Sequence, residues 1–308
     1  MQVKTLSTSR YNSTNATGSV VISGTQKAIF GYGYTNVIVS MTNLVSNTGV
    51  VATDTTGVGT ARNVLAAAGY GSDKAIFGYG YSSTNVSMTN LVSNTGVVAT
   101  DTTGVGTARY YLAAAGYGSD KAIFGYGYNG SNLSMTNLVS NVGVVATDTT
   151  GVGTARYHLK VAGYGNDKAI FGYGLTSVNV SITNLVSNTG VVATDTTGVG
   201  TARNVLAAAG YGTDKAIFGY GYTSAAVSIT NLVSNTGVVA TDTTGVGTAR
   251  WALAAAGYGS DKAIFGYGLT SVAVSMTNLV SNTGVVATDT TGVGTAREGL
   301  AAAGYSST

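Results

Sequence analysis

Short apolar runs separated by glycine-rich turns extend along almost the whole chain. One representative stretch contains KAIFGYG (74–80), NVSMTNLVSNTG (85–96), VVATDTT (97–103) and LAAAGYG (112–118). The second run alternates apolar and polar positions, as a half-buried strand does, and no run shows the i, i+3, i+4, i+7 spacing of a helix. Several short runs of this kind with glycine-rich turns predict an all-β fold with about four strands in each stretch.

This stretch is a unit that recurs six times in strict register. KAIFGYG begins at Lys27 and returns every 47 residues, at Lys74, Lys121, Lys168, Lys215 and Lys262. The six units fill residues 27–308 and leave residues 1–26 outside the repeat. A period of this length is typical of propeller blades. We therefore predict an N-terminal extension at 1–26 and a six-bladed β-propeller at 27–308, with about four antiparallel strands in each blade.

Side-chain size predicts the order of the strands from the axis outwards. The innermost strands of a propeller converge, so the small residues of the run at 113–115 suit that place. Larger residues, Ile76, Phe77, Leu91 and Val97, are expected farther out, where they fill the space between diverging blades.

The two ends of the repeat predict how the ring closes. The chain ends on a LAAAGY strand at 300–305, whereas its first unit begins at Lys27 without such a strand. Pairing of this C-terminal strand with residues 27–33 completes the first blade and removes exposed sheet edges. The segment SVVISGT at 19–25 is the other candidate for that place, but the unbroken register favours the C-terminal strand.

The unit resembles the kelch repeat. Arg62 precedes Gly78-Tyr79-Gly80 by 16 residues, which is close to the spacing between the arginine and the double glycine of that family. The stretch MTNLVSNTG at 88–96 resembles the segment that follows in kelch repeats, with Gly96 where the family has tryptophan. The resemblance covers residues 27–308 and implies a propeller whose arginine-bearing face holds acidic partners.

Nearly all charges occupy repeated positions. Six arginines precede the LAAAG strands and are expected to surround one mouth of the central channel: Arg62, Arg109, Arg156, Arg203, Arg250 and Arg297. Six aspartates lie in the TDTTG turns: Asp54, Asp101, Asp148, Asp195, Asp242 and Asp289. In one interpretation each aspartate accepts turn amides and pairs with an arginine. In the other, the arginines form an anion-binding site, because guanidinium groups match carboxylates and phosphates bidentately.

The copies differ mainly in the two residues after each arginine, which we call the variable slot. The six slots are Asn63-Val64, Tyr110-Tyr111, Tyr157-His158, Asn204-Val205, Trp251-Ala252 and Glu298-Gly299, and they contain the only Trp, His and Glu of the chain. Function often varies in loops on a rigid scaffold, which makes Tyr110, Tyr111, Tyr157, His158 and Trp251 candidate ligand-binding residues for a carbohydrate or peptide. Neutral variation of exposed loops is the alternative. A second variable stretch begins at residues 34, 81, 128, 175, 222 and 269.

Composition removes several classes of function. One His, no Cys and no carboxylate pair apart from the repeat offer no catalytic triad, thiolate nucleophile or metal cluster, so we expect no enzyme, metal or cofactor. The net charge of +3 is too small to imply nucleic-acid binding. No apolar run reaches the roughly 18 residues of a membrane span, and the first residues lack the apolar core of a secretory signal.

Near-identical copies rich in Thr, Asn and Gly, without Pro or Cys, also resemble surface proteins of bacteriophage particles. We therefore predict a non-enzymatic structural and recognition protein on a virion surface, which presents its variable face to a glycan or another virion protein. The alternatives are a cytoplasmic kelch-type adaptor that binds an acidic peptide and a multivalent lectin. Residues 1–26 are either an assembly arm, which forms a homo-oligomer or docks on another subunit, or a flexible terminus.

Overall fold

The computed structural model describes residues 25–307, which contain eighteen strands and no helix. The strands form six antiparallel sheets of three strands each. The predicted strand-like segment 19–25 and the N-terminal extension 1–26 lie outside the described residues, except that Thr25 and Gln26 begin the first strand. The all-β prediction is confirmed.

The first sheet joins the two ends of the described chain, because β18 (Ala301–Ser307) pairs with β1 (Thr25–Tyr34), which in turn pairs with β2 (Ile38–Val45). The other sheets each take three consecutive strands: β3 (Ala66–Tyr70), β4 (Lys74–Gly78) and β5 (Thr89–Val92); β6 (Ala113–Tyr117), β7 (Lys121–Tyr128) and β8 (Asn132–Val139); β9 (Lys160–Tyr164), β10 (Lys168–Gly172) and β11 (Thr183–Val186); β12 (Ala207–Tyr211), β13 (Lys215–Tyr222) and β14 (Ala226–Val233); and β15 (Ala254–Tyr258), β16 (Lys262–Gly266) and β17 (Thr277–Val280). The predicted pairing of the C-terminal strand with the first unit is confirmed.

The prediction of four strands per unit is wrong, since each sheet has three. The run at 97–103 lies beside β5 but makes only two isolated bridges there, Val92 with Val98 and Thr89 with Thr102. Between these bridges the Ala99 carbonyl accepts a hydrogen bond from the side chain of Asn90 rather than from a backbone amide. The side-chain bond thus interrupts the backbone ladder that a fourth strand needs.

The hydrophobic core lies between successive sheets. One such cluster joins Ile29 and Tyr32 of the first sheet to Phe77 of the second, and all three side chains are fully buried. The Tyr32 and Phe77 rings lie 5.1 Å apart, and equivalent pairs occur between the other neighbouring sheets. Val97 was expected in this core but is 65% exposed, because Val98 takes the buried place.

The close approach of neighbouring sheets depends on glycine in the middle strand. A Cβ on Gly78 would lie 2.7 Å from Cζ of Phe124 in the next sheet, which is too close for any side chain. Since Phe124 is fully buried, it has little room to move away. Glycine at this position therefore lets the large aromatic residue of each sheet pack against its neighbour.

The six sheets follow one another in a closed cycle. The alanine-rich strand of each sheet contacts its counterpart in the next sheet, in the order β3, β6, β9, β12, β15, β18 and back to β3. The alanine-rich strands therefore lie nearest the centre, as side-chain size predicts. At one end of these strands, six backbone hydrogen bonds also run from sheet to sheet, including Gly71 N to Asp120 O and, across the chain ends, Ser306 N to Asp73 O.

Candidate functional site

The repeated arginines are buried between the sheets, as Arg109 shows. Its side chain has no exposed surface. Its Nε donates to the Tyr126 carbonyl at 2.8 Å, its Nη1 to the Thr107 carbonyl at 3.0 Å and its Nη2 to Asn137 Oδ1 at 2.6 Å. The guanidinium also lies 4.4 Å from the ring centroid of Tyr79 in the preceding sheet, within cation–π range. Each arginine thus links two neighbouring sheets.

The other five arginines have the same environment, so none of the six presents a free guanidinium to an anion. Their side chains are equally inaccessible, and each stacks on a tyrosine of the preceding sheet. The prediction that they surround an open mouth of the channel is therefore wrong for all of them: Arg62, Arg109, Arg156, Arg203, Arg250 and Arg297. The sequence pattern gives their position in the chain but not the tyrosine and carbonyl groups that enclose them.

The repeated aspartates hold the turn before each arginine, as the structural interpretation predicts. Asp148 accepts hydrogen bonds from the Thr107 amide at 2.9 Å, from its hydroxyl at 2.6 Å and from Asn137 Nδ2 at 2.9 Å. Burial raises the pKa of Asp148, but the bonds from Thr107 and Asn137 and the Arg109 charge outweigh it and hold the pKa below its ordinary value. Since Thr107 and Asp148 belong to neighbouring units, this contact also joins successive sheets.

The second residues of the six slots form a closed ring of backbone hydrogen bonds, which we call the slot ring. Each amide donates to the carbonyl of the preceding unit, in the order Val64, Gly299, Ala252, Val205, His158, Tyr111 and back to Val64. All six residues have a positive φ, between 48° and 60°. This backbone conformation is costly for the branched Val64 and Val205. The ring of hydrogen bonds therefore fixes the direction of each slot side chain.

A cavity of about 180 Å³ lies at the slot ring, and we call it the central cavity. Buried leucines at the start of the inner strands line it, including Leu112 and Leu253. Tyr111, His158 and Trp251 add aromatic walls. All three were predicted ligand-binding residues, and the fold brings them together around one space.

Three ionisable side chains line the central cavity: His158, Lys160 and Glu298. Burial, followed by the Lys160 charge, lowers the pKa of His158 to about 3, so its imidazole is neutral at physiological pH. Burial alone lowers the pKa of Lys160 to about 8. Burial raises the pKa of Glu298 above its ordinary value.

The other two predicted aromatic residues, Tyr110 and Tyr157, form a cluster beside the slot ring with two tyrosines that were not predicted. Tyr81, Tyr110, Tyr128 and Tyr157 follow one another with ring centroids 5.7, 5.7 and 5.1 Å apart. We call these four the aromatic surface. It connects to the central cavity through Tyr111, whose ring centroid lies 4.6 Å from that of Tyr110.

The opposite end of the inner strands has a larger cavity, of about 320 Å³, built from repeated positions. Lysine and aspartate neighbours alternate around it, and the Asp73–Lys74 pair, at 2.7 Å, is one of five such pairs. These pairs are partly exposed, and each contributes little to stability. This end therefore shows the same chemistry in nearly every copy, whereas the central cavity does not.

The sequence therefore predicts part of the site and misses four of its residues. Tyr81 and Tyr128 lie in the second variable stretch, and neither is among the predicted ligand-binding residues. Glu298 is the only glutamate of the chain, and Lys160 stands where the five other copies have alanine. These departures from the repeat are the signal that would have found Glu298 and Lys160.

Comparison with protein-family models finds none that matches the chain, and no curated protein matches it either. Among the residues that the structure describes, no three His, Asp or Glu side chains are grouped as a metal site would require. Within residues 25–307 there is also no helix of the length and apolarity that crossing a membrane needs. The absence of an enzymatic function stays a prediction.

Proposed function

We propose that this chain is a kelch-like, six-bladed β-propeller that acts as a non-enzymatic recognition protein and binds a glycan at its slot end. Each of the six sheets then forms one blade. The closed cycle of sheet contacts and the two sets of hydrogen bonds between successive units support the propeller. The spacing from each arginine to its glycines supports the kelch resemblance, and Arg62 donates from Nε to the carbonyl of Tyr79, within that glycine motif.

The aromatic surface is the observation that carries the recognition function. Tyrosine rings offer flat apolar faces with a polar hydroxyl at the edge, which suits the apolar faces and hydroxyl groups of sugars. The four rings are partly accessible and come from three successive blades of the proposed propeller, since Tyr81 belongs to the sheet of β3–β5, Tyr110 and Tyr128 to that of β6–β8, and Tyr157 to that of β9–β11. They also lie at positions where the copies differ, whereas the repeated arginines and aromatic residues are buried between the sheets.

The alternatives receive less support. An acidic peptide held by the arginines requires free guanidinium groups, and all six are enclosed. A lectin with one equivalent site in each unit requires similar slots, yet the six slots contain different residues.

A glycan panel tests this proposal. Binding to immobilised oligosaccharides should fall at least tenfold in Tyr81→Ala and in Tyr110→Ala. Tyr34→Ala is the matched control, because Tyr34 occupies the repeat position of Tyr81, is equally exposed (38% against 39%) and lies outside the aromatic surface. Equal binding by the wild type and both aromatic-surface variants, or no binding to any glycan, would overturn the proposal.

We place this function on the surface of a phage particle, with residues 1–26 as the arm that docks or oligomerises. The support is compositional: near-identical copies without Pro or Cys and with 9% charged residues. Mass spectrometry of purified particles should detect the chain. Native mass should show an assembly for the full chain and a monomer for a chain without residues 1–24. Two monomers would remove the arm from the proposal and leave glycan binding untouched.

A further inference from the structure

We propose that the central cavity binds a small aromatic carboxylate, with its carboxylate paired with Lys160 and its ring among Tyr111, His158 and Trp251. This site is separate from the aromatic surface and does not depend on glycan binding.

Lys160 is a charged residue where the other five units have alanine. It begins β9, one of the six strands around the centre, and its counterparts are Ala66, Ala113, Ala207, Ala254 and Ala301. Its side chain lines both the central cavity and the narrower space below, between the alanine strands. A long basic side chain at this position therefore extends into space that the alanines leave open.

The ammonium group of Lys160 has no protein partner among the described residues. It makes no ion pair within 4.0 Å and donates no hydrogen bond to them, whereas five lysines at the opposite end pair with neighbouring aspartates. Burial with no carboxylate of the described residues within ion-pairing distance disfavours the ammonium form, in agreement with the lowered pKa. A carboxylate ligand would supply both the charge and the acceptor oxygens that the group lacks.

The rest of the cavity selects an aromatic body for this ligand. The Tyr111 and His158 rings lie 3.6 Å apart between centroids and form one wall. In the slot ring, Ala252 lies opposite Tyr111 and Gly299 opposite His158, so small residues face large ones and leave the space open. The volume of about 180 Å³ exceeds the ~150 Å³ of an apolar cavity known to hold benzene.

The carboxyl group of Glu298 should affect the affinity for this ligand in the opposite direction to Lys160. Its carboxyl group lines the same cavity and in its ionised form has the same negative charge as the proposed ligand, so it weakens binding. Removal of this charge in Glu298→Gln should therefore strengthen binding, whereas removal of the Lys160 charge should weaken it.

Titration with sodium benzoate tests the proposal on the full chain, followed by fluorescence of Trp251, the only tryptophan present. We expect a saturable change at pH 7, at least tenfold weaker in Lys160→Ala and several-fold stronger in Glu298→Gln. Lys160→Ala restores the residue of the other five copies, and Lys160→Met keeps the length of the side chain. Lys168→Ala, at the opposite end, should bind as the wild type does.

The pH dependence of benzoate affinity distinguishes an ion pair between the carboxylate and the Lys160 ammonium from burial of the benzoate ring alone. Among the groups that face the cavity, His158 and Tyr111 stay neutral between about pH 6 and 9, while Lys160 loses its proton. Affinity should fall about tenfold for each pH unit above 8, also in Glu298→Gln. Equal benzoate affinity in the wild type and both Lys160 variants, or tighter binding of benzylamine than of benzoate, would overturn the proposal.

Discussion

At the scale of single residues, basic side chains have different roles when they are buried between sheets and when they lie at the surface. Arg109 is enclosed and donates hydrogen bonds to three oxygens, whereas Lys121 pairs with Asp120 at the surface. Loss of a buried charged donor leaves its acceptors without partners in a medium of low polarity. Loss of a surface lysine only returns its partner to water.

Substitution of one arginine should measure this difference. Arg109→Leu should lower the free energy of unfolding by about 3–5 kcal/mol, because Asn137 Oδ1 and two carbonyls lose their donor. Lys121→Leu, which removes a partly exposed pair, should lower it by less than about 1 kcal/mol. Denaturant unfolding followed by circular dichroism gives both values, and equal losses would contradict the structural role of the arginine.

The lowered pKa values of the six turn aspartates predict how the stability of the folded chain depends on pH. Their pKa values lie below the ordinary value in the folded chain, despite burial that acts the other way. Their contribution is therefore complete above about pH 4 and is lost as the pH falls through the folded-state values. The melting temperature should be flat from pH 7 to about pH 5 and fall steeply below about pH 4. Asp148→Asn should reduce that slope, and an acid-insensitive wild type would refute this role.

At the scale of elements, the chain ends supply one sheet together. β18 pairs with β1 over seven residues, from Thr25 with Ser307 to Gly31 with Ala301. In the other units the same two strands are joined by a short turn, as in Tyr70-Gly71-Ser72-Asp73-Lys74. The first unit therefore replaces a local hairpin by a pairing between distant parts of the chain.

Truncation should show that this pairing closes the molecule. A chain that ends at Gly299 should lose its single cooperative unfolding transition, because β1 and the neighbouring inner strands lose their partner. A permuted chain that begins with residues 300–305, joined through Gly-Ser-Asp to Lys27, should regain it. Differential scanning calorimetry compares the three chains, and an unchanged transition in the truncated chain would contradict closure by β18.

The sequence could predict elements whose signals are local. The repeat period, the alanine strands and the end-to-end pairing all follow from the register of KAIFGYG and LAAAGYG. The run at 97–103 was wrongly predicted to be a fourth strand, because its residues favour β structure. Its composition does not show that the Asn90 side chain donates a hydrogen bond to the Ala99 carbonyl. The arginine placement failed for a similar reason, since Tyr79 and Arg109 are 30 positions apart in the sequence and meet only between sheets.

At the scale of the whole molecule, residues that repeat and residues that vary do different work. Repeated side chains such as Arg109, Tyr126 and Phe124 are buried and join successive sheets. Variable side chains gather at one end, where the slot ring fixes their backbones. We therefore propose that the repeated residues form the structural frame and that the variable slots carry the recognition function.

The most direct test replaces all six variable slots by Asn-Gly, which combines the Asn found at 63 and 204 with the Gly found at 299. The slot ring accepts this change in backbone terms, since glycine adopts a positive φ readily, as Gly299 does at 60°. We expect the uniform chain to keep the circular dichroism spectrum of the wild type and a melting temperature within a few degrees of it, and to lose all binding on the glycan panel. A uniform chain that unfolds, or that binds as the wild type does, would contradict the division between frame and slots.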